Sequence, residues 1–188
     1  MENKSLRSDL WNAAGKAGFV LGVIPCIYML LSNLLTGANT SSTMLALLIS
    51  LGNILLWAAK FAGCILLMKY FMKKFASVRR DATHSDVFRF GMAVAFLSAL
   101  IYAAFYFAYV AFINPESIDQ ALAMVRESYS SFMTSDALET FEQTNFGVLG
   151  FFSNLIYCFL FGTVLSSILS RSIPSDNPFA DEQTTDNQ

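Results

Sequence analysis

Residues 90–113 read FGMAVAFLSALIYAAFYFAYVAFI, a run with no charged side chain and no side-chain amide. An α-helix rises about 1.5 Å per residue, so a run of this length reaches across the roughly 30 Å of hydrocarbon in a bilayer. A core helix of a soluble domain keeps a polar stripe toward water. This run has none and is apolar all round, which predicts a membrane-spanning helix.

Working outward, three further runs have the same character: 17–35, 43–68 and 146–170. Only the second holds a charge, Lys60. The expected fold is all-α, an integral membrane four-helix bundle. Thr36-Gly37-Ala38 loosely matches a signal-peptide cleavage site. Pro25 inside the first run, and Glu2 and Asp9 among the basic residues before it, favour a retained span instead. Composition agrees, because 55% of the 188 residues are hydrophobic and only 14% charged, where a soluble domain has roughly a quarter charged. Cys26, Cys64 and Cys158 form an odd set inside apolar runs and are read as small buried hydrophobes, not as a disulfide framework.

The net charge of −2 says little until the charges are placed along the chain. Lys69, Lys73, Lys74, Arg79, Arg80 and Arg89 lie between the second and third runs, and Lys4, Arg7, Lys16 and Arg171 flank the first and last. The connector 114–145 holds Arg126 alone against Glu116, Asp119, Glu127, Asp136, Glu139 and Glu142. Short translocated loops exclude Lys and Arg. The expected order is therefore a cytoplasmic segment 1–16, spans 17–35 and 43–68, a basic cytoplasmic loop 69–89, and a span 90–113. An acidic extracytoplasmic loop 114–145, a span 146–170 and a disordered acidic cytoplasmic tail 171–188 follow. The setting is the inner (plasma) membrane, with anionic headgroups as partners of the basic loop.

Loop 114–145 is too long to be featureless. Asn114-Pro115-Glu116 reads as a cap, a first-turn proline and a first-turn acid, with Ile118, Leu122, Val125 and Tyr129 following on one face. A second short amphipathic helix is expected near Ser135 or Asp136, with Leu138 and Phe141 on its apolar side. The pair could form a ligand or partner surface. The plainer and favoured reading is a hairpin lying at the membrane interface.

Asn114-Pro115-Glu116, then Ile173-Pro174, then Asn177-Pro178-Phe179 resemble a family of small bacterial integral membrane proteins of unknown function. Those proteins have several spans, an Asn-Pro-acid start to a long outer loop and a Pro-rich close. The resemblance covers most of the length and implies a membrane bundle. It implies no activity, and it carries over no catalytic or binding residues.

Polar groups at membrane depth are the functional candidates. Lys60 sits nine residues before Lys69, roughly 13 Å along the helix from that basic flank. Its readings are snorkelling to the cytoplasmic headgroups, favoured; an internal hydrogen-bonded site; or a substrate or anion site. Ser50, Asn53, Trp57, Lys60 and Cys64 fall on one stripe of the second helix. Cys26, Asn53, Tyr102, Asn154 and Tyr157 share a depth of roughly 12 to 17 Å from the outer ends. The candidate polar site is thus Lys60, Asn53, Asn154, Tyr102 and Tyr157. It would be an outward-facing cavity for a polar ligand or, more plainly, a set of interhelical hydrogen bonds worth roughly 0.6 kcal/mol each. Small residues at Ala14, Gly18 and Gly22, at Gly91, Ala95, Ala99 and Ala103, and at Cys158, Gly162, Ser166 and Ser170 permit close helix approach.

His84 is the single histidine and lies in the basic loop, so a zinc site or a serine triad inside the membrane cannot be assembled from this chain. No Gly-rich phosphate loop occurs, and no Asp or Glu lies in any apolar run. The expectation is a non-enzyme without cofactor, metal or nucleic-acid partner. Two functions remain: a bundle acting through self-association or a membrane partner, which is favoured, and a small transporter or channel subunit with a polar intramembrane cavity.

Overall fold

Thr83 and Asp86 start the helix around which the others pack. The Thr83 hydroxyl oxygen accepts the Asp86 backbone N–H at 3.2 Å, and the Asp86 carboxylate accepts the Thr83 backbone N–H, also at 3.2 Å. This reciprocal box satisfies two donors that a helix start leaves open. The structure, a computed structural model, describes residues 2–36, 43–79, 82–129 and 145–173. In chain order its helices are α1 (Glu2–Thr36), α2 (Thr43–Val78), α3 (His84–Ala108), α4 (Glu116–Tyr129) and α5 (Phe146–Ser172). α3 runs on into a π-helical turn, Tyr109–Ile113, closed by the Asn114 N–H on the Tyr109 carbonyl at 2.9 Å.

No strand occurs among the described residues, and four helices are long and apolar enough to cross a membrane: Leu10–Leu35, Met44–Val78, His84–Ile113 and Phe146–Ser172. The all-α membrane fold expected from the sequence holds. α4 begins at Glu116, with the Pro115 carbonyl taking the Ile118 N–H at 3.2 Å. The second loop helix near Ser135, the turn 37–42 and the tail from Pro174 fall outside the described residues.

The basic segments are largely helix. α1 is already helical at Glu2, and α2 continues from Met68 to Val78, leaving only 79–83 as the connection to α3. No Gly or Pro interrupts residues 64–90, and Met72 and Phe75 on the extension find partners to pack against.

α3 lies between α1 and α5, and small residues make both seams. An added Cβ at Gly18 would lie 2.8 Å from the Leu97 Cβ, and one at Gly22 would lie 2.9 Å from the Ile101 Cβ. On the other side, Gly91 faces the Ser166 side chain, and an added Cβ at Gly162 would lie 2.5 Å from the Ala95 Cβ. Ser166 also donates across the seam to the Phe88 carbonyl at 3.1 Å, and His84 Nδ1 donates to the Ser170 carbonyl at 3.0 Å. α2 joins this three-helix layer mainly through its far end, where Phe75 stacks on Phe90 with ring centroids 4.2 Å apart.

Candidate functional site

Among residues 44–78 of α2, the buried ones are all at Met68 or beyond; before it, the helix carries Asn53, Lys60 and Cys64 at partly buried positions. The Cα–Cβ bonds of a helix lean toward its N-terminus. For α2 that direction points away from Lys69, Lys73 and Lys74, so a lysine stem at position 60 is aimed away from the basic flank. Tyr28 on antiparallel α1 leans the opposite way, and the two meet. The Lys60 Nζ lies 4.3 Å from the centroid of the Tyr28 ring and 5.1 Å from that of Phe61.

The Lys60 ammonium thus lies over Tyr28, a neighbour that the sequence reading did not name. Ser32 and Asn53 set the α1–α2 register, and in that register Tyr28 sits on the side of Lys60 remote from the basic end. A lysine at the centre of a membrane helix costs about 2.5–3.5 kcal/mol. An ammonium over an aromatic face recovers about 0.5–2 kcal/mol depending on its exposure, so Tyr28 offsets part of that cost.

Two thiols from different helices, Cys64 on α2 and Cys158 on α5, lie within electrostatic reach of Lys60. Tyr102 on α3 has Cys158, Cys26, Tyr106 and Tyr28 as its own electrostatic neighbours. Phe61 meets Phe161 of α5 edge-on, with centroids 5.6 Å apart, and closes one side of the cluster. The contacts made by Lys60 itself are thus to rings of two helices, Tyr28 of α1 and Phe61 of its own α2.

The other candidates are placed elsewhere. Asn53 accepts from the Ser32 hydroxyl at 3.1 Å, a separate α1–α2 link. Asn154 donates to the Gly150 carbonyl of its own helix at 2.8 Å. Tyr157 is 65% exposed and points away from the bundle. The Cys26 thiol is buried and donates to the Gly22 carbonyl at 3.1 Å. On the α2 stripe, Ser50 and Trp57 are exposed. Equal depth did not bring these residues together, because depth says nothing of which face of each helix a residue occupies. Tyr28 was missed. Its signal was the antiparallel register, in which Ser32 opposes Asn53 and the next turn of α1 comes level with the turn of α2 just before Lys60.

Among the described residues, no carbonyl, carboxylate or hydroxyl oxygen accepts from the Lys60 ammonium, and no sealed polar side-chain atom lacks a partner. Among the same residues, no group of three or more His, Cys, Asp or Glu could hold a metal ion.

These features define a class: an all-helical protein with four membrane-length apolar helices and one cation kept within the apolar zone. The chain belongs to the family described as protein of unknown function, DUF4199, which matches residues 16–171. That agrees with the resemblance drawn from the sequence as far as a family of unknown function goes. The match takes in all four long helices and Asn114-Pro115-Glu116, while Ile173-Pro174 and Asn177-Pro178-Phe179 lie beyond its end. No curated protein and no solved structure matches the chain.

Proposed function

We propose that this protein is a non-catalytic multi-pass bundle of the plasma membrane that holds a small polar ligand between α2 and the α1–α3–α5 layer, as the binding part of a small transporter or channel subunit. The observation that supports this reading is the Lys60 ammonium, the one charge in the apolar runs, lying over the Tyr28 ring 4.3 Å from its centroid with no hydrogen-bond acceptor among the described residues. A purely structural lysine would be expected to spend its protons on carbonyl or amide oxygens.

Thiol chemistry tests it. A small, membrane-impermeant thiol reagent should modify Cys64 and Cys158 in intact membranes, each assayed as the single remaining cysteine. Cys26, with its thiol on the Gly22 carbonyl, should react only after unfolding. If Cys64 and Cys158 both stay unreacted in the folded protein yet react when it is denatured, no water-accessible interior exists and the reading fails.

A second reading, action through self-association or a membrane partner, draws on the outer face of α2, where Leu47, Leu48, Leu51, Ile54 and Leu55 are all exposed. Lipid covers such a face equally well. The small-residue rows that first motivated self-association are occupied within the chain, by Leu97 and Ile101 on one side of α3 and by Ser166 and Gly162 on the other. Recovery of a dimer mass in lipid nanodiscs, or of one specific crosslinked partner in cells, would favour this second reading.

The proposed orientation puts the basic end in the cytoplasm, where exposed Lys16, Lys69, Lys73, Lys74, Arg89 and Arg171 meet anionic headgroups. A reporter inserted within 116–142 should be active only outside the cytosol.

A further inference from the structure

Resting on the second, association reading above, we infer that the flank of α2 beside Lys60 docks a membrane-spanning helix of a different protein, one that carries a carboxylate at mid-membrane depth with Lys60 as its counter-ion.

Charge identifies the partner. Lys60 lies roughly 13 Å along the helix from Lys69, near the middle of its span, and is the one charged residue in the four apolar runs. Its ammonium sits over the Tyr28 ring with no hydrogen-bond acceptor among the described residues, and a ring face balances only part of the desolvation of a cation. Charged groups at this depth pair with one another or with backbone carbonyls. Neither this chain nor a second copy of it can bring the opposite charge, because none of the apolar runs contains Asp or Glu. Lipid covers apolar faces but keeps its charged groups in the headgroup layer, at the depth of Lys69. A foreign helix, whose backbone is satisfied internally, can hold a carboxylate level with Lys60.

Shape decides the side. Phe61 meets Phe161 edge-on with centroids 5.6 Å apart, so α5 covers the flank of Lys60 on which Phe61 lies. Gly52, Leu56, Ala59 and Gly63 follow one another at steps of four, three and four residues, a single stripe along the other flank. Ala59 is exposed, and a Cβ built at Gly52 or Gly63 meets nothing within 4 Å. Close backbone approach at such residues is what a short Asp or Glu side chain needs to reach a lysine across an interface. The small residues of the other seams are filled from within the chain, Gly18 by Leu97, Gly22 by Ile101 and Gly162 by Ala95.

Trp57 stands one helical turn before Lys60, and Trp11 is the only other tryptophan, so Trp11→Phe makes Trp57 a local reporter. The full chain in lipid vesicles is titrated with a synthetic leucine-alanine membrane helix that carries one central Glu and a dansyl acceptor, and separately with the same helix bearing Leu in place of the Glu. Energy transfer from Trp57 to the Glu helix should saturate as the peptide-to-lipid ratio rises, whereas the Leu helix should give only the transfer of random mixing. Lys60→Met should raise the half-saturating ratio about tenfold or more, and so should Gly63→Leu, which fills the flank. Exchanging the charges, Lys60→Glu against a helix with a central Lys, should restore saturation to within about threefold of the original pair. Removing a charge from membrane depth relieves a cost, and a side chain at Gly63 has no neighbour to disturb, so both single variants keep their fold.

Transfer to the Glu helix at the level of random mixing, or saturation unchanged in Lys60→Met or in Gly63→Leu, overturns the inference. If the Glu helix fails to dock while a dimer mass or a specific crosslinked partner is recovered, the carboxylate partner falls and the association reading stands. A strict monomer in nanodiscs, with no crosslinked partner in cells and no docking of the Glu helix, removes both.

Discussion

At the basic end of the bundle, Met68, Met72 and Phe75 of α2 pack with Val87, Phe90 and Val94 of α3, Ala14 and Ala17 of α1, and Leu169 of α5. Farther along, α2 has no buried residue before Met68, although Ala99, Ala103 and Gly147 are still buried in the α1–α3–α5 layer. The packed half is the more polar of the two in sequence, with Lys69, Lys73 and Lys74 on α2, so hydrophobicity cannot explain the difference. In lipid, apolar surface gains nothing by leaving the solvent, and helices associate where shape and hydrogen bonds let them. The basic half has that complementarity: glycines against Cβ atoms, a ring stack, a capping box and cross-seam bonds. The contacts described for the other half of α2 are a hydrogen bond from Ser32 of α1 to Asn53, the Lys60 ammonium over Tyr28 and the Phe61–Phe161 ring pair with α5.

Glycines give the widest contrast. At Gly162 an added Cβ meets the Ala95 Cβ, an atom fixed to backbone, so α3 and α5 must move apart. Gly162→Val should cost roughly 3 kcal/mol in detergent unfolding, or prevent assembly altogether. At Gly63, where nothing lies within 4 Å, Gly63→Ala should instead stabilise by about 0.5–1 kcal/mol through helix propensity alone. Equal responses at the two sites would break the comparison between the halves.

Next in size is the ring stack. Phe75 is buried against Phe90 with an interplanar angle of 4°, and Arg79 lies over its other neighbourhood with Cζ 5.5 Å from the ring centroid. Phe75→Ala should lose about 2 kcal/mol, less than a soluble core loses, because the transfer part shrinks where the unfolded helix stays in lipid. Leu48→Ala, on the exposed face of α2, should stay within about 0.5 kcal/mol by the same unfolding assay.

The four long helices were legible in the sequence because a bilayer demands long uncharged runs, and such runs are hard to mistake. Helix ends were less so. Lys69, Lys73 and Lys74 read as loop because charge was equated with the end of a span, whereas a helix ends where its backbone bonds or its packing end, and Met72 and Phe75 carried α2 on to Val78. Thr83-x-x-Asp86 is a capping signature that could have placed the start of α3, and it went unread beneath the run of basic residues around it. The small-residue rows were read correctly as sites of close approach, but a row does not name its partner. For the polar candidates, depth alone grouped Tyr157 with Lys60, while the rotation of α5 turned that tyrosine outward.

Capping supplies a smaller test of the packed half. Thr83→Ala removes the side-chain acceptor for the Asp86 N–H and should cost about 1 kcal/mol. Amide exchange should quicken over the first turn of α3 and stay unchanged at Gly150–Asn154. Quickening along the whole of α3 would mean that the cap holds the bundle and not merely the helix start.

The smallest expected effect sharpens the comparison most, because it probes the open half directly. Ser32 and Asn53 make the one side-chain hydrogen bond described between α1 and the part of α2 before Met68. Ser32→Ala, Asn53→Ala and the double variant form a cycle whose coupling should be about 0.6 kcal/mol, the usual value for a hydrogen bond between membrane helices. A coupling of that size means that this bond adds no more than an ordinary interhelical contact to those made by Lys60 with Tyr28 and Phe61 with Phe161. A coupling near zero would show that the pair forms and breaks without consequence. A coupling of about 2 kcal/mol or more would show that this half is as firmly assembled as the basic end, and that the difference in burial between them does not translate into a difference in stability.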